Sequence, residues 1–372
     1  MYIRDPIYKI IEFDDVESRI LSSERMQRLY YIKQLGLTYL VYPSGMHTRL
    51  EHSIGTMHLT KEVASKVYGR RVPEFEYAGL LHDIGHGPFS HQTEYAMKKY
   101  LHKSHEEVGK EIVAKSEIKD IISDAGFSIR KVMSYFDGGS AYEIVGGILG
   151  SDRLDYLMRD SYHIGVAYGI IDYARLINNF ALKGHKLAVY EHAIAEAESI
   201  LIARYFMYSN VYMHHTVLIA EGMLRTALEK AIENGEFDPK ELVETNDNVL
   251  LYKLHSTSAA NIVKNIERRV LFKRAYYGKV RGDVKLGEIE NALSNIGLNA
   301  DEYVVKLISL RDEGREDIPI VDKNGELIGK LTDFSPFIKT LEDVLKKKYQ
   351  LLVACDKSKV DEARKAVSKV LH

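Results

Sequence analysis

The stretch Tyr77–His91 gathers His82, Asp83, His86 and His91 into a run that also holds Gly85, Gly87 and Pro88. Its apolar members Tyr77, Ala78, Leu80, Leu81 and Ile84 recur at helical spacing, which predicts a helix carrying His82 and Asp83. Pro88 lacks an N–H and fixes φ, so it ends that helix. His82 and His86 are four residues apart and would share one helical face. Neutral imidazoles beside a carboxylate suit a divalent ion that must keep open positions for water or a phosphate oxygen. A lone histidine there would read as a core or capping residue. This density at one helix end points to a site instead.

The doublet His82-Asp83 resembles the signature of the HD-domain metal phosphohydrolases. Longer words strengthen the likeness: Gly45-Met46-His47-Thr48-Arg49-Leu50-Glu51-His52-Ser53-Ile54-Gly55 upstream and Ser151-Asp152-Arg153-Leu154-Asp155-Tyr156-Leu157-Met158-Arg159-Asp160 downstream. With Asp5-Pro6-Ile7 and Gln27-Arg28-Leu29-Tyr30-Tyr31-Ile32-Lys33-Gln34-Leu35-Gly36 they resemble the deoxynucleoside triphosphate triphosphohydrolase branch of that superfamily. The likeness runs from about residue 4 to about residue 215 and begins almost at Met1, without the SAM module of the eukaryotic branch.

The resemblance implies metal ligands at His52, His82, Asp83 and Asp152, spread over three predicted helices. Two neutral imidazoles and two carboxylates leave a divalent ion near neutral, with positions free for a water of lowered pKa and a phosphate oxygen. Such a set accepts Mn, Fe, Co, Ni or Zn, while Mg²⁺ arrives with the substrate phosphates. No cysteine takes part, which argues against a structural zinc site. His86, His91 and His105 resemble the histidines that face the α-phosphate. Hydrolysis there expels a nucleoside 5′-oxygen that needs a proton, so His91 is expected as general acid, supported by His86 and His105. Arg49 falls where the family clamps the α-phosphate, and Arg153 where the eukaryotic relative has lysine. Gln34 and Leu35 match positions against the sugar, Tyr156 and Asp160 groups that meet the 3′-hydroxyl, and Tyr212 the floor of a pocket too tight for a 2′-hydroxyl. At the family's regulatory nucleotide site, Ser22 and Tyr30 replace the guanine-reading pair. Gln27 remains between them, and Arg269 and Lys273 match phosphate contacts. The implied partners are a dNTP substrate and further copies of the chain, as dimer or tetramer.

The positioning elements read as overwhelmingly helical. Apolar residues at three- and four-residue spacing predict helices near 23–35, 48–68, 74–84, 89–101, 104–115, 141–149, 151–162 and 191–231. Phe180–Tyr190 alternates around Gly184 as a short hairpin. Beyond residue 236 the texture changes: Tyr303–Ile308 reads as a strand, Ile318–Val321 and Leu327–Leu331 as a hairpin about Asn324-Gly325, and Gln350–Cys355 as a strand before a helix over Val360–Leu371. The expected fold is mainly α: an HD-domain helical bundle over 1–235 with a short β-hairpin, then a smaller α+β region over 236–372 packed on it.

At 372 residues the chain can bury an ample core, and a net charge of −2 offers no bulk attraction to nucleic acid or anionic membrane. The lone Cys355 forms no internal disulfide, and no stretch reaches 18 apolar residues, so a cytoplasmic protein is expected. Two other classes compete with the dNTP hydrolase. One is a different HD phosphohydrolase, such as a nucleotidase or a cyclic-dinucleotide or alarmone hydrolase. The other is a nucleotide- or nucleic-acid-binding protein with little turnover, which would need a local basic surface.

Overall fold

The computed structural model describes residues 1–281, 284–309, 317–345 and 349–371. The fold is mainly α-helical, and it divides into two compact units. The first comprises residues 1–208, 242–247 and 316–339; the second comprises 209–241, 248–315 and 340–372. A single cut after residue 235 does not describe them. Two segments of the C-terminal region belong with the first unit, because pairing partners for their backbones lie there.

Two helices and a turn carry most of the chemistry of the first unit. Arg49–Tyr68 starts at a capping box, in which Thr48 accepts from the Glu51 N–H while the Glu51 carboxylate accepts from the Thr48 N–H. Gly69, at φ 66°, ends it in the left-handed region that glycine enters freely. Ser151–Ile164 stops likewise at Gly165, φ 74°. Both pack together, and Pro73–Leu81 packs on the former, around buried Leu50, Ile54, Met57, Tyr77, Leu80, Leu154 and Leu157.

The helix expected over 74–84 ends earlier, at Leu81. His82 is its C-cap, and residues 83–90 run on as turns closed by Ile84 N–H to Leu81 O (3.1 Å), His86 N–H to Asp83 O (3.1 Å) and Ser90 N–H to Gly87 O (3.1 Å). His82 and His86 therefore do not share a helical face. Buried Arg28 takes two carbonyls of this turn, donating to Ile84 O (3.1 Å) and His86 O (2.7 Å). Arg28 itself lies in a short helix, Glu24–Arg28, followed by a 3₁₀ turn, in place of the longer helix expected over 23–35. The helix expected over 191–231 is also interrupted. It splits into Ile194–Met207 and His215–Glu233, with a π-helical turn at Tyr208–Tyr212 between them.

The strands of the first unit are β1 (Tyr2–Asp5), β2 (Lys9–Glu12), β3 (Phe180–Lys183) and β4 (Lys186–Tyr190), with two more near the C-terminus. The β1–β2 hairpin had no sequence signal. β3 and β4 form the expected hairpin, with Phe180 opposite Val189. In the second unit β5 (Lys273–Lys279) and β6 (Tyr303–Ser309) flank β9 (Tyr349–Cys355) in an antiparallel sheet of order β5-β9-β6. Its buried face, including Ala275, Leu351, Val353 and Cys355, meets Ile289 and Leu293 of the Leu286–Ser294 helix and Ala363 and Val367 of the Val360–Leu371 helix. The C-terminal hairpin, β7 (Pro319–Val321) with β8 (Leu327–Lys330), returns to the first unit, where β7 pairs in parallel with β4. Among the described residues no helix is long and apolar enough to cross a membrane.

Gly85 lets the metal-motif turn touch the His105–Lys115 helix backbone to backbone. A Cβ there would stand 2.1 Å from His105 O and 2.3 Å from Gly109 N, and neither can rotate away. Gly85→Ala should lower stability by about 1–3 kcal/mol, the usual range for overpacking. Denaturant unfolding of the purified variant checks this; an unchanged midpoint would mean that the two backbones separate freely.

Candidate metal centre and histidine cluster

Four side chains from three elements converge at the first turn of the Arg49–Tyr68 helix. His52 comes from that helix, His82 and Asp83 from the end of Pro73–Leu81, and Asp152 from the first turn of Ser151–Ile164. His52 Nε2 lies 3.2 Å from His82 Nε2, 3.1 Å from Asp152 Oδ1 and 3.7 Å from Asp83 Oδ2. His82 Nε2 lies 3.3 Å from Asp83 Oδ1 and 3.7 Å from Asp152 Oδ1. Both imidazoles are almost wholly buried.

The far nitrogen of each ring determines which atom can serve as a ligand. Carbonyls and carboxylates only accept, so His82 Nδ1–H donates to Gly79 O (2.8 Å) and His52 Nδ1–H to Asp155 Oδ2 (2.7 Å). Each Nε2 is thereby turned toward the two carboxylates. Burial disfavours a charged imidazole at His52, but hydrogen bonds to Asp152 and Asp155 outweigh it and push its pKa up to about 10. Asp83 behaves conversely. Burial would raise its pKa, yet the Arg49 guanidinium and the His82 and His86 rings hold it well below the usual carboxylate range. Two near-touching Nε2 atoms between two carboxylates form a cage that demands positive charge, as a divalent cation supplies. The four residues fit a metal.

Behind the cage stands a buried ionic network that the sequence analysis left unassigned. Asp155 accepts from His52 and Arg159 Nε (2.9 Å) on one oxygen, and from Tyr8 Oη (2.7 Å) and Arg159 Nη2 (3.0 Å) on the other. Arg159, fully buried, also pairs with Asp5 at 2.8 Å. The only available signal was position: Asp155 lies one helical turn beyond Asp152 and one before Arg159.

Beside the cage His86, His91 and His105 come together. His86 stacks on His105 with ring centroids 3.9 Å apart, and His91 presents its edge to both at 4.7 and 5.4 Å. His86 Nε2 stands 3.2 Å from Asp83 Oδ1, which links cluster and cage. Burial, the Arg49 cation and His105 hold His86 well below the ordinary imidazole pKa. Glu94, also unassigned from sequence, meets His91 Nδ1 at 2.9 Å, His105 Nδ1 at 3.1 Å and Lys98 Nζ at 2.8 Å. Burial would raise its pKa, but His105, His91 and Lys98 keep it ionised. The His91 ring is open to solvent, whereas His86 is not.

Arg49 adjoins both groups: Nη1 meets Asp83 Oδ2 at 2.5 Å and Nε donates to Ser90 Oγ at 2.8 Å. Arg153 Nη1 donates to Ile148 O (3.1 Å), which ties that guanidinium to its own neighbourhood. Gln34 is buried, and its Oε1 has no hydrogen-bond partner. Leu35 precedes the 3₁₀ turn Gly36–Leu40. Asp160 is held by His47 (2.8 Å), and Tyr156 is half-buried on the same helix. Tyr212 ends the Tyr208–Tyr212 turn and belongs to the second unit. Of the regulatory candidates, Gln27 spends its amide on Leu21 O (2.8 Å), while Arg269 and Lys273 are exposed in the second unit.

This assembly of imidazoles and carboxylates inside a helical bundle can hold a metal ion, and comparison with known proteins supplies the class, a metal-dependent phosphohydrolase. The HD domain matches residues 49–144 and the HD associated region residues 171–372, more than half of the chain. An uncharacterised protein of Methanocaldococcus jannaschii is 35% identical over 97% of this chain and 80% of its own length. The deoxynucleoside triphosphate triphosphohydrolase SAMHD1 of Gallus gallus is 26% identical over 86% of this chain, which spans 65% of that enzyme. A crystal structure of a hypothetical protein from Aquifex aeolicus superposes with a TM-score of 0.83 at 30% identity, covering 99% of both chains. The chain belongs to the HD-domain phosphohydrolase family, in the form that carries an HD associated region.

Asp155→Asn should reduce metal affinity about 10–100-fold, the usual effect of altering a carboxylate that orients a ligating histidine. Metal retained after dialysis against graded chelator, with circular dichroism as the control for folding, checks it. Retention equal to that of the unaltered protein would show that Asp155 has no hold on the ligand.

Proposed function

We propose that the protein is a metal-dependent deoxynucleoside triphosphate triphosphohydrolase. Water adds to the α-phosphorus, the bond to the 5′-oxygen breaks, and deoxynucleoside and triphosphate leave. The observation that carries this reading is the junction of cage and cluster at Asp83, with Arg49 beside both. The relatedness to a dNTP triphosphohydrolase over most of the chain supports it.

His52, His82, Asp83 and Asp152 would hold the divalent ion, which supplies Lewis acidity toward water and a phosphate oxygen. Arg49, fixed by Asp83 and Ser90, offers its remaining donors to the charge that builds on the equatorial oxygens. The leaving 5′-oxygen needs a proton. Glu94 takes the His91 Nδ1–H, which leaves Nε2 as the nitrogen that can pass a proton to the 5′-oxygen. His86, buried and held neutral, packs His105 and keeps the acid in place. Gln34, Leu35, Tyr156 and Asp160 form the sugar contacts in this reading, and Arg153 is a minor phosphate contact. The reading includes self-association to a dimer or tetramer, and, since Ser22 and Tyr30 replace the guanine readers, either activation by a deoxynucleotide of another base or constitutive assembly in place of activation by GTP.

The direct test is incubation of the metal-reconstituted protein with each dNTP and NTP, with triphosphate separated from orthophosphate. Release of triphosphate from dNTPs is expected. Orthophosphate alone would assign the site to another HD phosphoesterase.

Two substitutions test the division of labour. His82→Ala should abolish both turnover and bound metal, because it removes a ligand. His91→Ala should lower turnover by roughly 10²–10⁴ while metal content stays intact, the contribution of a positioned acid. Loss of metal from the His91 variant would move that residue into the cage and sink the general-acid role.

A further inference from the structure

Asp247 is a fully buried carboxylate to which the reading above gives no role. It ends the segment 242–247 that returns to the first unit, and it comes from the HD associated region, not from the HD domain. Its hydrogen bonds among the described residues go to two stretches of chain. Oδ1 accepts from Phe89 N–H at 2.6 Å, and Oδ2 accepts from Lys33 N–H at 3.0 Å and Lys33 Nζ at 3.3 Å.

The same two stretches meet again at Ser90. Ser90 Oγ donates to Lys33 O at 2.7 Å and accepts from Arg49 Nε at 2.8 Å. Asp247, Phe89, Ser90 and Lys33 thus close a ring of chain and hydrogen bonds, with Arg49 attached at one corner. The other anchor of that guanidinium is Asp83, on Nη1. Two anchors fix its plane, and Nη2, which has no partner among the described residues, is left for a phosphate oxygen.

The turn in this ring is strained. Phe89 and Ser90, consecutive residues with side chains, stand at φ 55° and 59°, a shape that persists only while surrounding bonds impose it. Ser90 N–H on Gly87 O, Gln92 N–H on Phe89 O and Thr93 Oγ1 on Pro88 O join residues within five positions, so they do not tie the turn to Lys33. Two bonds do that, Asp247 at Phe89 and Ser90 Oγ at Lys33 O, and one alone would leave rotation about it. Loss of the Asp247 acceptors also leaves backbone donors unpaired in the core, which favours a relaxed turn in which they find other partners.

We propose that Asp247 is a positioning residue for Arg49: by holding Phe89 N–H and Lys33 N–H together it sets the direction of Ser90 Oγ, and through it the guanidinium that meets the phosphate. The inference rests on the reading of Arg49 as a phosphate contact.

The test uses the metal-loaded full chain. Asp247→Asn keeps the volume but turns an amide N–H₂ toward one of the two backbone donors. It should lower kcat on a dNTP about 10–100-fold, the scale on which a misplacement of about 1 Å slows an enzyme. Bound metal should not change. The second readout is hydrogen exchange at Arg49 Nε–H, a resonance identified by its absence from Arg49→Lys. It should exchange about five- to tenfold faster in Asp247→Asn, the scale of one weakened hydrogen bond. In an Arg49→Ala background Asp247→Asn should lower kcat no further. An unchanged kcat, a loss that adds to that of Arg49→Ala, a loss of metal, or an Arg49 Nε–H that exchanges as before would overturn the positioning role. If Asp247→Asn does not fold, Ser90→Ala cuts the same link at Oγ and should show the same two changes, and full kcat there would overturn the role. No dNTP turnover by the unaltered protein would instead remove the triphosphohydrolase reading, and the Nε–H exchange would still decide the link between Asp247 and Arg49.

Discussion

The site depends on a single buried carboxylate. Asp155 accepts four hydrogen bonds, from His52, Tyr8 and two nitrogens of Arg159, and so satisfies the lone-pair capacity of both oxygens inside the core. Removing a partner from such a buried ionic set typically costs about 3–5 kcal/mol, which makes the arrangement rigid. The rigidity reaches the ligand: a fixed Nδ1–H bond determines which nitrogen of His52 points at the carboxylates and in what direction. Space for the network is equally constrained. A Cβ on Gly55 would lie 1.9 Å from Asp155 Oδ1, so the helix must carry glycine where it passes the carboxylate.

A second constraint holds the turn after the metal motif. Phe89 and Ser90 both adopt positive φ, at 55° and 59°, which costs about 1–3 kcal/mol for a residue with a side chain. Distant groups impose it. Buried Asp247 accepts from Phe89 N–H (2.6 Å) and from Lys33 N–H (3.0 Å), while Ser90 Oγ donates to Lys33 O (2.7 Å). Arg28 holds the carbonyls at 84 and 86 and reaches Thr245 O (2.9 Å) with its other nitrogen. The strain places Ser90 against Arg49 and starts the helix that carries His91 and Glu94.

Electrostatics then separates cage from cluster although Asp83 touches both. The cage concentrates acceptors around His52 and His82 and calls for a cation. The cluster sets a buried His86, kept neutral by burial and by Arg49, against a solvent-open His91 whose Nδ1 is bound by an ionised Glu94. The two neighbouring rings thus differ in burial and in their partners, His86 enclosed beside Arg49 and His91 open to solvent on Glu94.

Residue types and short spacings were enough to find the His82-Asp83 doublet, the helices that carry His52 and Asp152, the 180–190 hairpin and the strands at 303–309 and 349–355, because each rests on local periodicity or turn chemistry. Family words placed His86, His91 and His105 together, and the structure brings them within contact. The sequence by itself did not show that the Pro73–Leu81 helix stops before His82, since Arg28, which holds the Ile84 and His86 carbonyls of the turn that follows, lies more than fifty residues away. It hinted at Asp155 only by its helical spacing from Asp152 and Arg159 and gave no sign of Glu94, whose role exists only once separate segments of the chain meet, nor of the return of 242–247 and 316–339 to the first unit. Local pattern selects secondary structure and candidate chemistry. Long-range hydrogen bonds to buried charges decide which atom of each side chain faces the site, and only tertiary structure contains them.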